Sequence, residues 1–220
     1  MYHGTYLSRG KQALSKRPRW RIAALAGVAA FIVMGGVATA STVVTGSGKQ
    51  AADVKTITVA ADGSGDVTTV QAAIDKVPVN NTQPVTIAIK KGIYRGVFTI
   101  PSTKPYVTLK GLGTTASDVV LAENHSADSK KPDGTPYGTF DSATALVDGH
   151  DFAASNLTIS NDYDYTSRPS QAVALKLDAD RAVLTNVRIL GHQDTLLVNN
   201  DARAYFLKSS IEGTVDFIFG

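Results

Sequence analysis

Three short motifs recur at one fixed interval. Gln171-Ala-Val-Ala-Leu, Gln193-Asp-Thr-Leu-Leu and Val215-Asp-Phe-Ile-Phe start 22 residues apart, twice over, and Asn156-Leu-Thr-Ile with Asn186-Val-Arg-Ile forms a second, looser pair. A repeat of roughly 20–30 residues built from short strands and tight turns marks a stacked solenoid, whose units bury their apolar faces against one another. The surrounding runs agree: VTIAIK, GVFTI, YVTLKG, VVLA, TALVDG, LTIS, AVALKL, AVLTNVRIL, TLLV, AYFLKSSI and VDFIF follow in order. Gly, Asn, Asp or Pro separates nearly all of them. Strands that return once per coil lie parallel and directly above one another. The sequence therefore predicts an all-β chain wound as a parallel β-helix, with an antiparallel sandwich as the alternative that many short strands also suit.

A single amphipathic helix interrupts the strands, which argues against a doubly wound α/β sheet. Val70, Ala73, Ile74 and Val77 fall on one face of it. Thr68 with Gln71 resembles a capping box, and Pro78 ends the element. This helix is expected to cap the N-terminal end of the solenoid.

The net charge of +3 comes from the leader. Residues 1–21 hold Arg9, Lys11, Lys16, Arg17, Arg19 and Arg21 and no acid; removing those six from 22 basic residues leaves 16 against 19 acidic ones, a balance of −3. Positive charge outside the folded part argues against nucleic acid as a partner. Ile22 to Gly48 carries no charge, and Ala38-Thr39-Ala40 precedes Ser41. Residues 1–40 thus read as a secretory signal, or as an uncleaved anchor through residues 22–40 on the outer face of the plasma membrane, since the apolar run approaches the ~20 residues that span a bilayer. Either places the domain outside the cytoplasm. Residues 41–55 read as a flexible linker and 56–220 as the β-helix domain. The chain has no cysteine, which removes disulfides, thiolate metal sites and a cysteine nucleophile together.

Asp194 and Asp216 stand one repeat apart in the same phase. Stacked strands are ~4.8 Å apart, so both carboxylates are expected on one face, close enough that one is pushed to hold a proton while the other stays anionic. That pairing suits a carboxylate nucleophile with an acid/base partner. Gln171 lies above in the stack and Gln193 precedes Asp194, so their amides can donate to a developing oxyanion. A polar ladder on a solvated face remains the alternative at this point.

These stretches, with Gly191-His-Gln-Asp-Thr-Leu-Leu, Gly213-Thr-Val-Asp-Phe-Ile-Phe-Gly220, Thr139-Phe-Asp-Ser-Ala-Thr144 and Gly63-Ser-Gly-Asp66, resemble the pectinesterases (pectin methylesterases) from about Ile57 to Gly220. The resemblance implies a right-handed parallel β-helix and hydrolysis of methyl-esterified galacturonate in pectin. It implies Asp216 as the nucleophile and Asp194 as the proton donor and later base. Gln171 and Gln193 would bind substrate and polarise its carbonyl, with Thr139 and Phe217 as further substrate contacts. It implies no metal or organic cofactor, pectin as the one macromolecular partner, and a monomer. The family carries a leucine-glycine-arginine-proline-tryptophan motif further downstream, which leads us to expect that these 220 residues are the N-terminal part of a catalytic domain. Other β-helix enzymes acting on pectin (lyases, polygalacturonases) and a non-catalytic wall-binding solenoid are the competing functions.

Other features read as ordinary structure. Gly111-Leu-Gly-Thr-Thr-Ala116 lacks the helix a dinucleotide site needs and reads as a turn. Asp62-Gly-Ser-Gly-Asp66 lacks the spaced oxygens of a calcium loop. His125, His150 and His192 have no metal-ligand spacing, and no G-x-S-x-G elbow is present. Asn156 reads as a structural turn residue at a repeat position, and Tyr137, Tyr163 and Tyr165 as loop residues beside the motif strands.

Overall fold

Runs of three to nine β-prone residues, each cut short by a turn former, cannot build long strands, and here they wind into coils. A computed structural model describes residues 55–220. The expected signal or anchor (1–40) and all of the linker except Lys55 lie outside the described residues. The first coil holds β1 (Lys55–Val59) and helix α1 (Val70–Asp75). The second holds β2 (Val85–Ile89), β3 (Gly92–Arg95) and β4 (Phe98–Ile100). The third holds β5 (Val107–Gly111), a 3-10 turn (Ala116–Asp118), β6 (Val119–Glu123), the short helix α2 (Gly138–Asp141) and β7 (Ala145–Val147). The fourth is β8 (Ala153–Asn161) and β9 (Leu175–Leu177), and the fifth β10 (Ala182–Leu190) and β11 (Leu196–Val198). The sixth is β12 (Ala204–Leu207), β13 (Ser210–Glu212) and β14 (Ile218–Phe219).

All pairings between these strands are parallel, and they fall on three faces. One face stacks β1, β2, β5, the first half of β8, the first half of β10, and β12. The second stacks β3, β6, the later halves of β8 and β10, and β13; the third stacks β4, β7, β9, β11 and β14. The parallel β-helix expected from the period is the fold, and the antiparallel sandwich is excluded. Crossovers between parallel strands of one sheet are right-handed almost without exception.

Each face feeds the core with a column of apolar side chains in register. Ile57, Ile87, Leu109, Ala154, Leu184 and Phe206 line up on the first face. Tyr94, Leu121, Ile159, Ile189 and Ile211 line up on the second. Phe98, Ala145, Leu175, Leu196 and Ile218 line up on the third. Apart from Ile218, which is half exposed, these columns form one continuous hydrophobic core, closed at the first coil by the buried face of α1, with Val70, Ala73, Ile74 and Val77. The helix starts one residue later than its capping pattern suggested: Thr69 is the N-cap and accepts from Ala72 N at 3.2 Å. Gln71 closes no capping box; its Oε1 accepts from Thr99 N at 2.8 Å and ties the helix to β4. Among the described residues, no helix is long and apolar enough to cross a membrane.

β8 and β10 each turn a corner without a loop because one asparagine in each takes a left-handed backbone conformation, Asn156 at φ +55° and Asn186 at φ +54°. Asn tolerates that region because its short amide bonds locally. Asn186 Nδ2 donates to Asn156 Oδ1 at 2.8 Å, and Asn156 Nδ2 donates to Gly111 O and Gly113 O at 3.2 and 2.7 Å. This ladder is what the Asn156/Asn186 repeat encodes. Lys208, 22 residues beyond Asn186, holds the same left-handed conformation (φ +51°) without a side chain suited to it.

Asn186→Ala should lose the ladder bond and keep the strained backbone, destabilising the domain by about 1–2 kcal/mol. Lys208→Asn should extend the ladder and raise stability by ~0.5–1 kcal/mol. Urea unfolding monitored by circular dichroism measures both, and opposite signs are expected.

Candidate functional site

Inter-coil hydrogen bonds place the repeated motifs above one another. Asp194 N donates to Val215 O at 3.0 Å and Ala172 N to Gln193 O at 3.1 Å. Gln171, Gln193 and Val215 therefore form one column, and Ala172, Asp194 and Asp216 the next. These residues lie in the turns just before β9, β11 and β14 rather than in the strands themselves, contrary to the simplest reading of the period. The cause is the backbone of the two aspartates. Asp194 sits at φ +62° and Asp216 at φ +46°, a conformation that breaks a strand and that aspartate tolerates better than most residues. Non-glycine residues held there concentrate at functional sites.

Glycine makes the turns possible. A Cβ on Gly191 would lie 2.8 Å from Thr195 Oγ1, and one on Gly213 2.4 Å from the same atom and 2.6 Å from His192 O. Each glycine stands three residues before its aspartate. Thr195 O accepts from both Ala174 N (2.9 Å) and Leu175 N (3.2 Å), a local bulge that changes the spacing between coils from 22 residues at Ala172 to 21 at Leu175.

Two insertions build the walls. Phe98 pairs with Ala145, 47 residues on, and Ala145 with Leu175, 30 residues on. Both extra lengths leave the solenoid between the second and third faces, the corner that carries the aspartates. The first insertion brings α2 over the site, where Tyr137, Gly138, Thr139, Phe140 and Asp141 line an open cavity of about 490 Å³ with Asp194 and Phe219. Ser142, fully buried, donates to Thr139 O at 2.6 Å and accepts from Val173 N at 3.1 Å. Buried Asn161 donates to His125 O, Ser142 O and Val173 O, so both insertions are fastened to the segment that follows Gln171. Tyr137 stacks on His125 with centroids 4.2 Å apart, and Tyr165 on His192 at 5.4 Å. His192 O in turn accepts from Thr195 Oγ1 at 3.0 Å and from Thr214 N at 2.8 Å.

Asp194 is buried, 8 % exposed. Burial pushes the Asp194 pKa up, the negative charge of Asp216 adds to the rise, and a hydrogen bond from the Gln193 side chain opposes it. The structure brings Asp194, Asp216, Gln193 and Gln171 into two adjoining columns and sets Thr139 in the cavity wall. It does not bring Phe217 there: Phe219 lines the cavity instead, because outward positions on β14 continue the column of Lys176 and Leu197. Phe140, Asp141, Ser142 and Phe219 lie in motif stretches but carry no individual signal of a role, Asn161 lies in none, and only the register of β14 distinguishes Phe219. Among the described residues no group of three or more His, Cys, Asp or Glu is placed to hold a metal ion.

Comparison with known proteins agrees with this architecture. The pectinesterase family model matches residues 56–220. The chain is 39% identical over 168 residues to pectinesterase QRT1 of Arabidopsis thaliana, covering 76% of this chain and 44% of that one. It superimposes on carrot pectin methylesterase with a TM-score of 0.67 at 34% identity, covering 74% of this chain and 48% of that one. A pectin methylesterase solved in complex with a hexasaccharide gives the same TM-score at 34% identity, covering 76% and 51%. The chain belongs to the pectinesterase family. It spans about half the length of these relatives.

The raised Asp194 pKa has a consequence for stability. An unfolded aspartate titrates near 3.9, so a folded pKa above that value penalises the folded state once the carboxyl ionises. The penalty is absent below the unfolded pKa, grows as pH rises towards the folded one, and is complete above it. Asp194→Asn should therefore raise the melting temperature at pH 7 by about 1–4 °C and leave it nearly unchanged at pH 3. Thermal melts at the two pH values measure the difference.

Proposed function

We propose that this domain hydrolyses the methyl esters of galacturonate units in pectin, releasing methanol and leaving carboxylates on the polymer. The observation that carries this reading is the stacked pair Asp194 and Asp216, held in matching left-handed turns beside an open cavity, with the pKa of Asp194 raised by burial and by its partner's charge. Asp216 is the nucleophile. Its carboxylate oxygen attacks the ester carbonyl carbon, and the electron pair displaced onto the carbonyl oxygen is met by the side-chain amides of Gln171 and Gln193. Asp194, the group that holds a proton more readily, gives it to the departing methoxide as the intermediate collapses to an acyl-enzyme anhydride. Asp194, now ionised, takes a proton from water as that water attacks the anhydride carbonyl. The adduct collapses with Asp216 leaving as a carboxylate, the polymer's new carboxylic acid gives its proton to bulk water, and Asp194 carries the other proton for the next cycle.

Thr139 and Phe219 in the cavity wall, with the stacked rings of Tyr137 and Tyr165 nearby, suit the flat faces of sugar rings. The reading uses side chains of this chain alone, needs no metal or organic cofactor, and takes one protomer as sufficient. It includes export to the cell wall, supported by the basic and apolar character of residues 1–40.

In the whole protein, Asp216→Asn should abolish methanol release from methylated pectin while the circular dichroism spectrum stays unchanged, because an amide is too weak a nucleophile. Asp194→Asn should cost ~10²–10⁴-fold. Near-parental turnover in the Asp216 variant would show that the nucleophile lies elsewhere. Chain shortening without methanol release would point to a lyase or polygalacturonase, and pectin binding with no turnover in the parent to a non-catalytic solenoid.

A further inference from the structure

Thr195 follows Asp194 directly and is fully buried. A buried hydroxyl needs a partner. This one donates to His192 O at 3.0 Å. The same carbonyl accepts from Thr214 N at 2.8 Å, so His192 O joins the turn that carries Asp194 to the turn that carries Asp216. The carbonyl of Thr195 reaches the other way and accepts from Ala174 N and Leu175 N in the preceding coil. Thr195 thereby holds, within the Asp194 turn, the carbonyl to which the Asp216 turn is bonded, and its own carbonyl is bonded to the Gln171 coil.

The space around the hydroxyl is equally restricted. Thr195 Oγ1 fills the gap that a side chain at either Gly191 or Gly213 would need, at 2.8 and 2.4 Å from the respective Cβ positions. It is wedged between the two turns where each begins its approach to its aspartate. Filling that volume needs only a branched side chain, and valine would do it. Holding the shared His192 carbonyl needs the hydroxyl.

From this geometry we infer that Thr195 is a positioning residue for the carboxylate pair: its hydroxyl, through the His192 carbonyl shared with Thr214, sets the spacing between Asp194 and Asp216. The inference rests on the proposed function, which assigns the pair its role, and adds what holds the pair at its working separation. Repulsion between the carboxylates falls with distance, and a loosened turn also admits water to Asp194. Both changes move the Asp194 titration in one direction, downwards. The other titratable groups near it are Asp216 on the next turn, His192 on its own turn, and Asp141 and Tyr137 across the cavity, with Asp141 ion-paired to Lys131 at 2.6 Å. Substitution at Thr195 removes none of these groups, so a shift at Asp194 reports on how far they stand from it.

The test is carboxyl-carbon NMR titration of the full chain labelled at aspartate, comparing the parent with Asp216→Asn, Thr195→Val, Thr195→Ser and Thr195→Ala. Asp216→Asn should lower the Asp194 midpoint and so establish that the pair is coupled. Thr195→Val, which keeps the volume and removes the donor, should lower it by ~0.5 pH unit or more, while Thr195→Ser should titrate as the parent does. Should Thr195→Val fail to give a cooperative melt, the Ser and Ala variants carry the comparison, since both lack the methyl and only Ser keeps the hydroxyl; Ala alone should be shifted. A Thr195→Val midpoint equal to the parent's, or equal midpoints for Ser and Ala, with Asp216→Asn shifted, would overturn the inference and leave the carboxylate pair standing. An unmoved midpoint in Asp216→Asn would show that the pair itself is uncoupled, and the role of Thr195 falls with it.

Discussion

Backbone amides in a solenoid find their partners one coil away, and nearly every feature of this domain follows from that requirement. A parallel ladder admits only small departures from register without leaving buried N–H groups unpaired. Once the apolar columns of the three faces are aligned, the position of each turn residue relative to the coils on either side is settled as well. The aspartates meet because Asp194 N bonds to Val215 O, and the glutamines stand in the neighbouring column because Ala172 N bonds to Gln193 O. The site is assembled by the same bonds that hold the coils together.

Register alone would leave the aspartates on a flat strand, and the left-handed turns are what lift them out of it. Two glycines without room for a Cβ, a buried threonine between them and a bulge at Ala174 combine to hold that geometry. Both insertions enter at this corner, between the second and third faces. Asp194 lies beneath the wall built on α2, and burial together with the negative charge of Asp216 raises its pKa.

Such a site works against the stability of the fold that carries it. An ionised carboxyl kept out of water beside a second one disfavours the folded state at neutral pH, and each left-handed non-glycine residue adds strain. The compensation is spread through the solenoid, in three aligned apolar columns and in buried polar bonds such as those of Asn161 and Ser142. With no cysteine in the chain, the domain depends on that packing throughout.

The 22-residue interval, the turn-forming residues between short β-prone runs and the matched motifs by themselves determined the parallel β-helix, its capping helix and the pairing of Asp194 with Asp216. Those features repeat along the chain or sit at one phase of the repeat, so a linear reading reaches them. The Asn156 and Asn186 corners were legible for the same reason, although the hydrogen bonds between them were not. The later start of α1 and the shift of the motif residues from strand to turn came from local backbone preference, which a period does not carry. Phe219 in place of Phe217, the wall formed by α2 and the clamps at Ser142 and Asn161 belong to insertions without a repeat, and their contacts join segments far apart in the chain. Only the tertiary structure decided that Asp194 is buried, because burial depends on what the 47-residue interval between Phe98 and Ala145 folds over, and nothing in the repeat specifies that.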